Sequence, residues 1–273
     1  MQIAQPTESD LVLIDRTDDG VAVLTLHRPE ARNALSGALL AKLREALADV
    51  NADADVSSVI LTGADPAFCA GLDLKEMSAD GGRQLDDDAS ADLPTGAPWK
   101  PLDKPLIGAV NGVAITGGFE LALNCDFLIA SERAAFADTH ARVGVLPGWG
   151  LSVILPQRVG FSMARRMSFT GDFMTAAQAL TAGLVTEVTP HEELLPTARR
   201  LAATIAANTG PAIRALLASY RRIESEAVGD GLQVEADTSR QWRRSGGVEG
   251  IAERVGGVFA RGRSQLDSAV HDG

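Results

Sequence analysis

Residues 106–126 read LIGAVNGVAITGGFELALNCD, and this stretch decides the fold. Leu106–Val110 is a short, wholly apolar run, the mark of a strand buried on both faces. Asn111–Gly117 follows as a glycine-bearing loop. The spacing then predicts a helix near Gly118–Asn124 and a further strand over Phe127–Ala130. Residues 59–77, VILTGADPAFCAGLDLKEM, run the same way. A buried strand over Ser58–Thr62 passes through the loop Gly63–Gly71 into a short helix that starts near Asp73. Two such strand-loop-helix units point to a repeated supersecondary unit and an α/β fold.

Upstream, Leu11–Asp15 and Val21–Leu26 are apolar segments split by Asp18-Asp19-Gly20, a hairpin pattern. His27-Arg28-Pro29 ends the second strand. Ser36 has the character of a helix N-cap, with Leu39, Leu40, Leu43, Leu47 and Val50 recurring at helical spacing behind it. Residues 78–98 are rich in Asp, Gly, Ala and Ser and predict a mobile surface loop. From about residue 191 the pattern is helical. Leu194, Ala198, Leu201 and Ile205 share one face; Ile213, Leu216, Leu217 and Tyr220 share another. No linker stands out, so the expected organisation is a core over 1–195 and a helical region over 196–273 that packs on its own core, on a partner subunit, or on both.

Composition narrows the function. The 273 residues suit one large domain, or a domain with an appendage. The net charge of −11 argues against a nucleic-acid binder, whose footprint would be basic. Local Arg and Lys could still meet an anionic ligand. Cys69 and Cys125 are the two cysteines, and with no Cys/His ligand spacing they argue against a disulfide framework or a zinc site. A reducing cytosol is the expected compartment. The N-terminal MQIAQPTESDLVLID lacks the pattern of a signal peptide. No stretch approaches the roughly 18 uninterrupted apolar residues of a membrane span.

Both loops end in glycine just before a helix, where unpaired N–H groups and a partial positive charge gather. Two such groups converging on one point would form an oxyanion hole. Ala67-Phe68-Cys69-Ala70-Gly71-Leu72-Asp73 could present the N–H of Leu72. Gly112–Gly118 could present that of Gly117. Spacing alone leaves a plain tight turn as the other reading of each loop.

Longer motifs carry a resemblance. Phe68-Cys69-Ala70-Gly71-Leu72-Asp73-Leu74-Lys75-Glu76-Met77 resembles the first signature of the enoyl-CoA hydratase/isomerase (crotonase) family. Lys104–Gly112, continuing through Gly117-Gly118-Phe119-Glu120-Leu121-Ala122-Leu123-Asn124-Cys125-Asp126, resembles the second. Arg28–Leu35 resembles the segment that meets CoA. Phe136-Ala137-Asp138, Val143-Gly144 and Leu146-Pro147-Gly148-Trp149-Gly150 resemble the third active-site stretch. These segments and the helical tail cover most of the chain in the family's order.

The resemblance implies a spiral of ββα units with a C-terminal helical trimerisation region, and hence a homotrimer or a dimer of trimers. It implies an acyl-CoA thioester substrate, with CoA as part of that substrate and no separate cofactor. It places the oxyanion hole at Leu72 and Gly117. Such a hole serves hydration, isomerisation, decarboxylation and thioester hydrolysis alike, so the acid/base groups must choose among them. Hydratases of the family use two glutamates, one to take a proton from water and one to hold or return a proton. Glu120 stands at the first position; without the resemblance it reads as a helix-start Glu complementing the dipole. The second position departs from the family: His140 stands where the glutamate is expected. An imidazole can move a proton near neutral pH, so His140 is either the partner base or a polar loop residue beside a lone Glu120. Asp138 is a nearby substitute.

Enoyl-CoA hydration is the leading expectation. Its rivals are another reaction on the same scaffold, which His140 favours, and a non-catalytic acyl-CoA-binding protein. By resemblance Arg28 would meet CoA phosphate or adenine, while Ala31, Ala70 and Leu72 would line the pantetheine groove. Lys75 reads as a surface helix lysine that could meet phosphate. In the tail, Phe259 fits the family's pattern, but Arg254, Gly256 and Gly257 occupy the expected contact region, and no CoA contact is assigned there. Trp149 and Leu151 would close the acyl pocket or simply pack the core, with Trp99 in a similar part. Both cysteines read as small buried residues.

Overall fold

A computed structural model describes residues 11–73, 76, 93–251, 253 and 254. The helix expected near Asp73, Lys75, the greater part of the loop expected over 78–98, Gly256, Gly257 and Phe259 fall outside them.

The chain opens on the expected hairpin, β1 (Val12–Arg16) with β2 (Val21–Leu26), followed by a 3₁₀ turn at Pro29–Ala31 and helix α1 (Gly37–Ala52). The Ser36 side chain accepts the Leu39 amide, so the predicted N-cap is in place. Then come β3 (Ser58–Gly63), β4 (Ala67–Cys69), β5 (Leu106–Val110), β6 (Val113–Ile115), α2 (Gly117–Leu123), β7 (Phe127–Ser131), β8 (Ala135–Ala137) and α3 (His140–Val143). The remainder is α4 (Leu151–Thr170), β9 (Met174–Thr175), α5 (Ala176–Thr181), β10 (Glu187–Thr189), a 3₁₀ turn at His191–Glu193, α6 (Leu194–Ala206), α7 (Gly210–Val228) and α8 (Gly231–Arg244).

Two sheets form. The larger has the order β1-β2-β3-β5-β7-β10 and the smaller β4-β6-β8-β9. Pairing is parallel except at β1–β2 and β8–β9. Each turn of the chain therefore lays one strand in the large sheet and the next in the small one, then moves into a helix. β5, β6 and α2 make one such turn, and β7, β8 and α3 the next. The predicted repeat is a ββα spiral. Its second strands lie inside stretches that the sequence predicts as loops, a correction to both glycine-bearing segments. Three-residue strands between glycines carry too little periodicity to be seen in advance.

The wholly apolar strands follow from burial on both faces. Val21, Val23, Ile60, Ile107, Ala109 and Ile129 point to one side, where α6 covers them with Leu194, Ala198 and Ala202. Leu201 and Ile205 pack beside these, so the predicted face of this helix is used. Leu24, Leu61, Val110 and Leu128 point to the other side, into the main core with Leu39, Leu43 and Leu47 of α1 and with Phe119 and Phe136. Those two rings meet with centroids 5.6 Å apart. The face of α7 has a different fate: none of its residues is buried, and Leu216, Tyr220 and Ile223 are exposed. Among the described residues no single helix is long and apolar enough to cross a membrane; a bent pair that includes α6 and α7 meets the length and composition test only jointly.

Asn33 joins the first turn to the strands behind it. It is fully buried at φ 55°, accepts the Arg28 amide at 2.8 Å, and donates to the carbonyls of Ala64 at 2.8 Å and Ala67 at 2.7 Å. Asn tolerates this left-handed backbone better than most residues. Asn33→Ala takes this partner from the Arg28 amide and the Ala64 carbonyl, leaves the Ala67 carbonyl only Asn111 Nδ2 at 3.3 Å, and puts a less tolerant residue at the left-handed backbone. It should lower the unfolding free energy by roughly 2–4 kcal/mol, read by urea denaturation.

Candidate active site

Helix α2 starts against β4. A β-carbon on Gly118 would run into the Cys69 carbonyl, so only glycine lets the helix begin there. Gly71, at φ +91°, turns the first loop toward the second, and a β-carbon on it would lie 3.6 Å from the Gly117 nitrogen. A β-carbon on Gly117 would in turn touch Trp149, Leu35 and Leu72 at 3.5–3.7 Å. The two predicted amide donors, Leu72 and Gly117, thus stand side by side, with Trp149 next to them. Leu35 brackets Leu72 from behind: its amide donates to the Gly71 carbonyl at 2.8 Å and its carbonyl accepts the Asp73 amide at 2.9 Å. That leaves the Leu72 N–H on the opposite edge of the strand. Gly117, as the first residue of α2, has no intrahelical acceptor.

Glu120 lies one turn into α2 and is 3% exposed. Its carboxylate does not serve its own helix. Oε1 accepts the amides of Gly148 at 3.1 Å and Trp149 at 2.7 Å. Oε2 stands 3.5 Å from His140 Nε2. His140 is 4% exposed and opens α3. Its Nδ1 sits 2.7 Å from Asp138 Oδ1, which also accepts the His140 amide at 3.1 Å. His140 is thus fixed between two carboxylates. Burial works against a charged imidazole, but Asp138, with Glu120 beyond it, outweighs that and raises the ring to about 10. Burial would likewise push Asp138 up, yet the facing ring and the Ser168 hydroxyl hold its carboxyl below the usual range.

The family model for enoyl-CoA hydratase/isomerase matches residues 16–254. The chain belongs to the enoyl-CoA hydratase/isomerase family. A probable peroxisomal enoyl-CoA hydratase of Arabidopsis thaliana is 37% identical, over 85% of this chain and 83% of that protein. The 2,3-dehydroadipyl-CoA hydratase of Escherichia coli K12 is 39% identical, over 82% and 87%. Among solved structures, the enoyl-CoA hydratase of Mycobacterium tuberculosis H37Rv is 57% identical with a TM-score of 0.78, covering 87% of this chain and 99% of that one. A monofunctional enoyl-CoA isomerase from M. smegmatis is 33% identical with a TM-score of 0.66, covering 82% and 98%. Hydratases and an isomerase of the family thus share this fold with the chain.

The other candidates surround this centre. Arg28 is turned inward: it pairs with Asp73 at 2.7 Å, donates to the Ala34 carbonyl at 3.1 Å, and lies 3.8 Å from Glu30. It braces the first loop, and its side chain keeps 24% of its surface exposed. Ala31 and Ala70 are half-buried, and the Ala70 amide donates to the neighbouring Arg32 carbonyl at 3.0 Å. Trp149 is half-buried against the core, while Leu151 and Trp99 are core residues. Burial pushes the Cys69 thiol up to about 12 and the Cys125 thiol higher still, so neither is a ready nucleophile.

Glu235, on α8, was not visible from the sequence. It is 7% exposed, and its two oxygens accept the amides of Gly150 and Ser152, each at 2.6 Å. Burial and the nearby Glu120 push its carboxyl up, against those two amides. Two carboxylates from two helices thus hold one turn, Gly148–Ser152. Only the fold-back of α8 brings Glu235 there, and no local motif signals that.

The His140 ring carries a stability prediction. Its pKa is raised in the folded state, so its contribution is complete below the unfolded value, about 6.5, and is lost as pH rises through about 10. The thermal midpoint should fall across that window, and His140→Gln should flatten the decline. A midpoint equally steep in the variant would assign the pH dependence to other groups.

Proposed function

We propose that this chain is an enoyl-CoA hydratase-like enzyme that adds water across the double bond of a 2-enoyl-CoA thioester. The single observation that carries this is Glu120: buried, held by the Gly148 and Trp149 amides, and facing His140 one helical turn from the paired donors Leu72 and Gly117. The N–H groups of Leu72 and Gly117 receive the thioester oxygen and the charge that builds on it. Glu120 takes a proton from water as the hydroxyl joins Cβ. His140, held positive by Asp138, gives its proton to Cα. Transfer from Glu120 back to His140 over their 3.5 Å contact restores both groups. CoA enters as part of the substrate, and the scheme needs no separate cofactor. Ala31, Ala70 and Leu72 border the pantetheine path, Trp149 the acyl pocket, and the exposed part of Arg28 the CoA phosphates.

A second reading, double-bond isomerisation, is favoured by the same close approach of His140 to Glu120, which suits passing a proton between two carbons of the substrate. Purified protein with a short 2-enoyl-CoA should bleach the conjugated enoyl absorbance, and mass spectrometry should find the product heavier by one water. Glu120→Gln should lower kcat by at least about 100-fold. No bleaching at any chain length would sink the hydratase reading; a product of unchanged mass would favour isomerisation.

Assembly and location belong to the same proposal. The bare apolar face of α7, with Leu216, Tyr220 and Ile223, supports a homotrimer or a dimer of trimers. Light scattering on the purified chain should give three or six times the 28.6 kDa chain mass, and a monomer would remove that part of the proposal. Two buried, unpaired thiols support a reducing compartment such as the cytoplasm.

A further inference from the structure

Thr116 and Thr139 have no role in the scheme above, yet both are odd. Each stands at the N-cap of a helix, Thr116 before α2 and Thr139 before α3. A threonine at that position ordinarily caps its own helix through its hydroxyl. Neither does so here. The two hydroxyls bond each other instead, 2.6 Å apart and buried. Thr116 also has φ 55° and ψ −116°, a backbone conformation that suits glycine and that a β-branched residue adopts only under strain. Its amide is pinned to the Ala137 carbonyl at 2.9 Å. Strain of this kind persists where the surroundings impose it, and such sites cluster at functional centres.

The places that the pair joins matter more than the bond. The residue after Thr116 is Gly117, the amide donor at the start of α2. The residue after Thr139 is His140, held by Asp138. The hydroxyl pair is therefore a direct link between the charge-stabilising half of the site and its proton-moving half. It also sets a distance that apolar groups cannot reproduce, since carbon atoms in contact stay about 3.5–4.0 Å apart. We propose that the Thr116–Thr139 hydroxyl pair is a positioning element that holds the Gly117 amide and His140 at the spacing the reaction needs. This rests on the assignment of Gly117 and His140 under the proposed function. Both threonines act through their neighbours, and neither is assigned contact with substrate.

The experiment separates positioning from plain stability. Thr116→Val and Thr139→Val each remove one hydroxyl and leave the other buried without its partner, so each should lower the thermal midpoint and kcat. The double variant removes both hydroxyls, so no polar group is left unpaired and the midpoint should recover toward wild type. Its methyl groups still force the two segments apart by about 1 Å or more, a displacement of the size that costs up to about 100-fold in rate. The expected result is a double variant with a recovered midpoint, kcat still down by roughly 10–100-fold, and KM within about threefold of wild type. Thr116→Ser, which keeps the hydroxyl, should restore most of kcat. The inference is overturned if kcat recovers together with the midpoint, or if the single variants keep kcat within twofold. Substrates would be those that the wild-type chain turns over. A wild type inactive on every enoyl-CoA would overturn the proposed function and this inference together, whereas an active wild type with indifferent variants overturns this inference alone.

Discussion

The site depends on how closely helix α2 can begin behind the small sheet. At Gly118 the helix backbone lies against the Cys69 carbonyl, with no room for a side chain. That contact fixes where the first amide of the helix points, and Gly71 turns the neighbouring loop to meet it. One helical turn later the same element delivers Glu120. A helix start displaced by a methyl group would move the amide, the carboxylate and the wall of the pocket together. The spiral of paired strands is the scaffold that makes so close an approach stable. β4 and β6 are paired side by side in the small sheet, while the strands before them, β3 and β5, are locked in the large one.

Electrostatically, the site gathers acid groups in a protein that is already acidic. Asp138, Glu120 and Glu235 are all buried, and each has a defined partner: the His140 ring, the amides of Gly148 and Trp149, and the amides of Gly150 and Ser152. Buried carboxylates are tolerated where charge-assisted hydrogen bonds replace their water. A single imidazole between two of them is the only ring among these groups that can carry positive charge. Its protonation therefore governs the balance of the cluster.

Much of this was legible in the sequence because it follows from local rules. The runs at Leu106–Val110 and Val59–Leu61 are apolar at every position, and the sheet is indeed covered on both faces. The face Leu194, Ala198, Leu201 and Ile205 packs as its spacing requires. Leu72, Gly117, Glu120, His140 and Trp149, quoted in separate motifs, lie near one another in the fold. What stayed hidden depends on long-range contact or on backbone detail. β4 and β6 are three residues each, too short for periodicity. Asn33 lies within a quoted motif, but its three side-chain bonds exist only once the strands are in place. Thr116 has an unremarkable side chain and reveals its strain only in its dihedral angles. The sequence marks Arg28 as a cation that would meet CoA, while its salt bridge to Asp73 depends on a residue 45 positions away.

The bond from Glu235 to Gly150 spans 85 positions. It puts the turn that carries Trp149 under the control of the last long helix in the described chain. During synthesis both sheets and α2 can emerge and pack while that turn still lacks its two bonds to Glu235. The substrate-handling surface is thus completed late, after the scaffold that supports it. A growing chain would hold a folded core before the turn beside Trp149 was fully anchored.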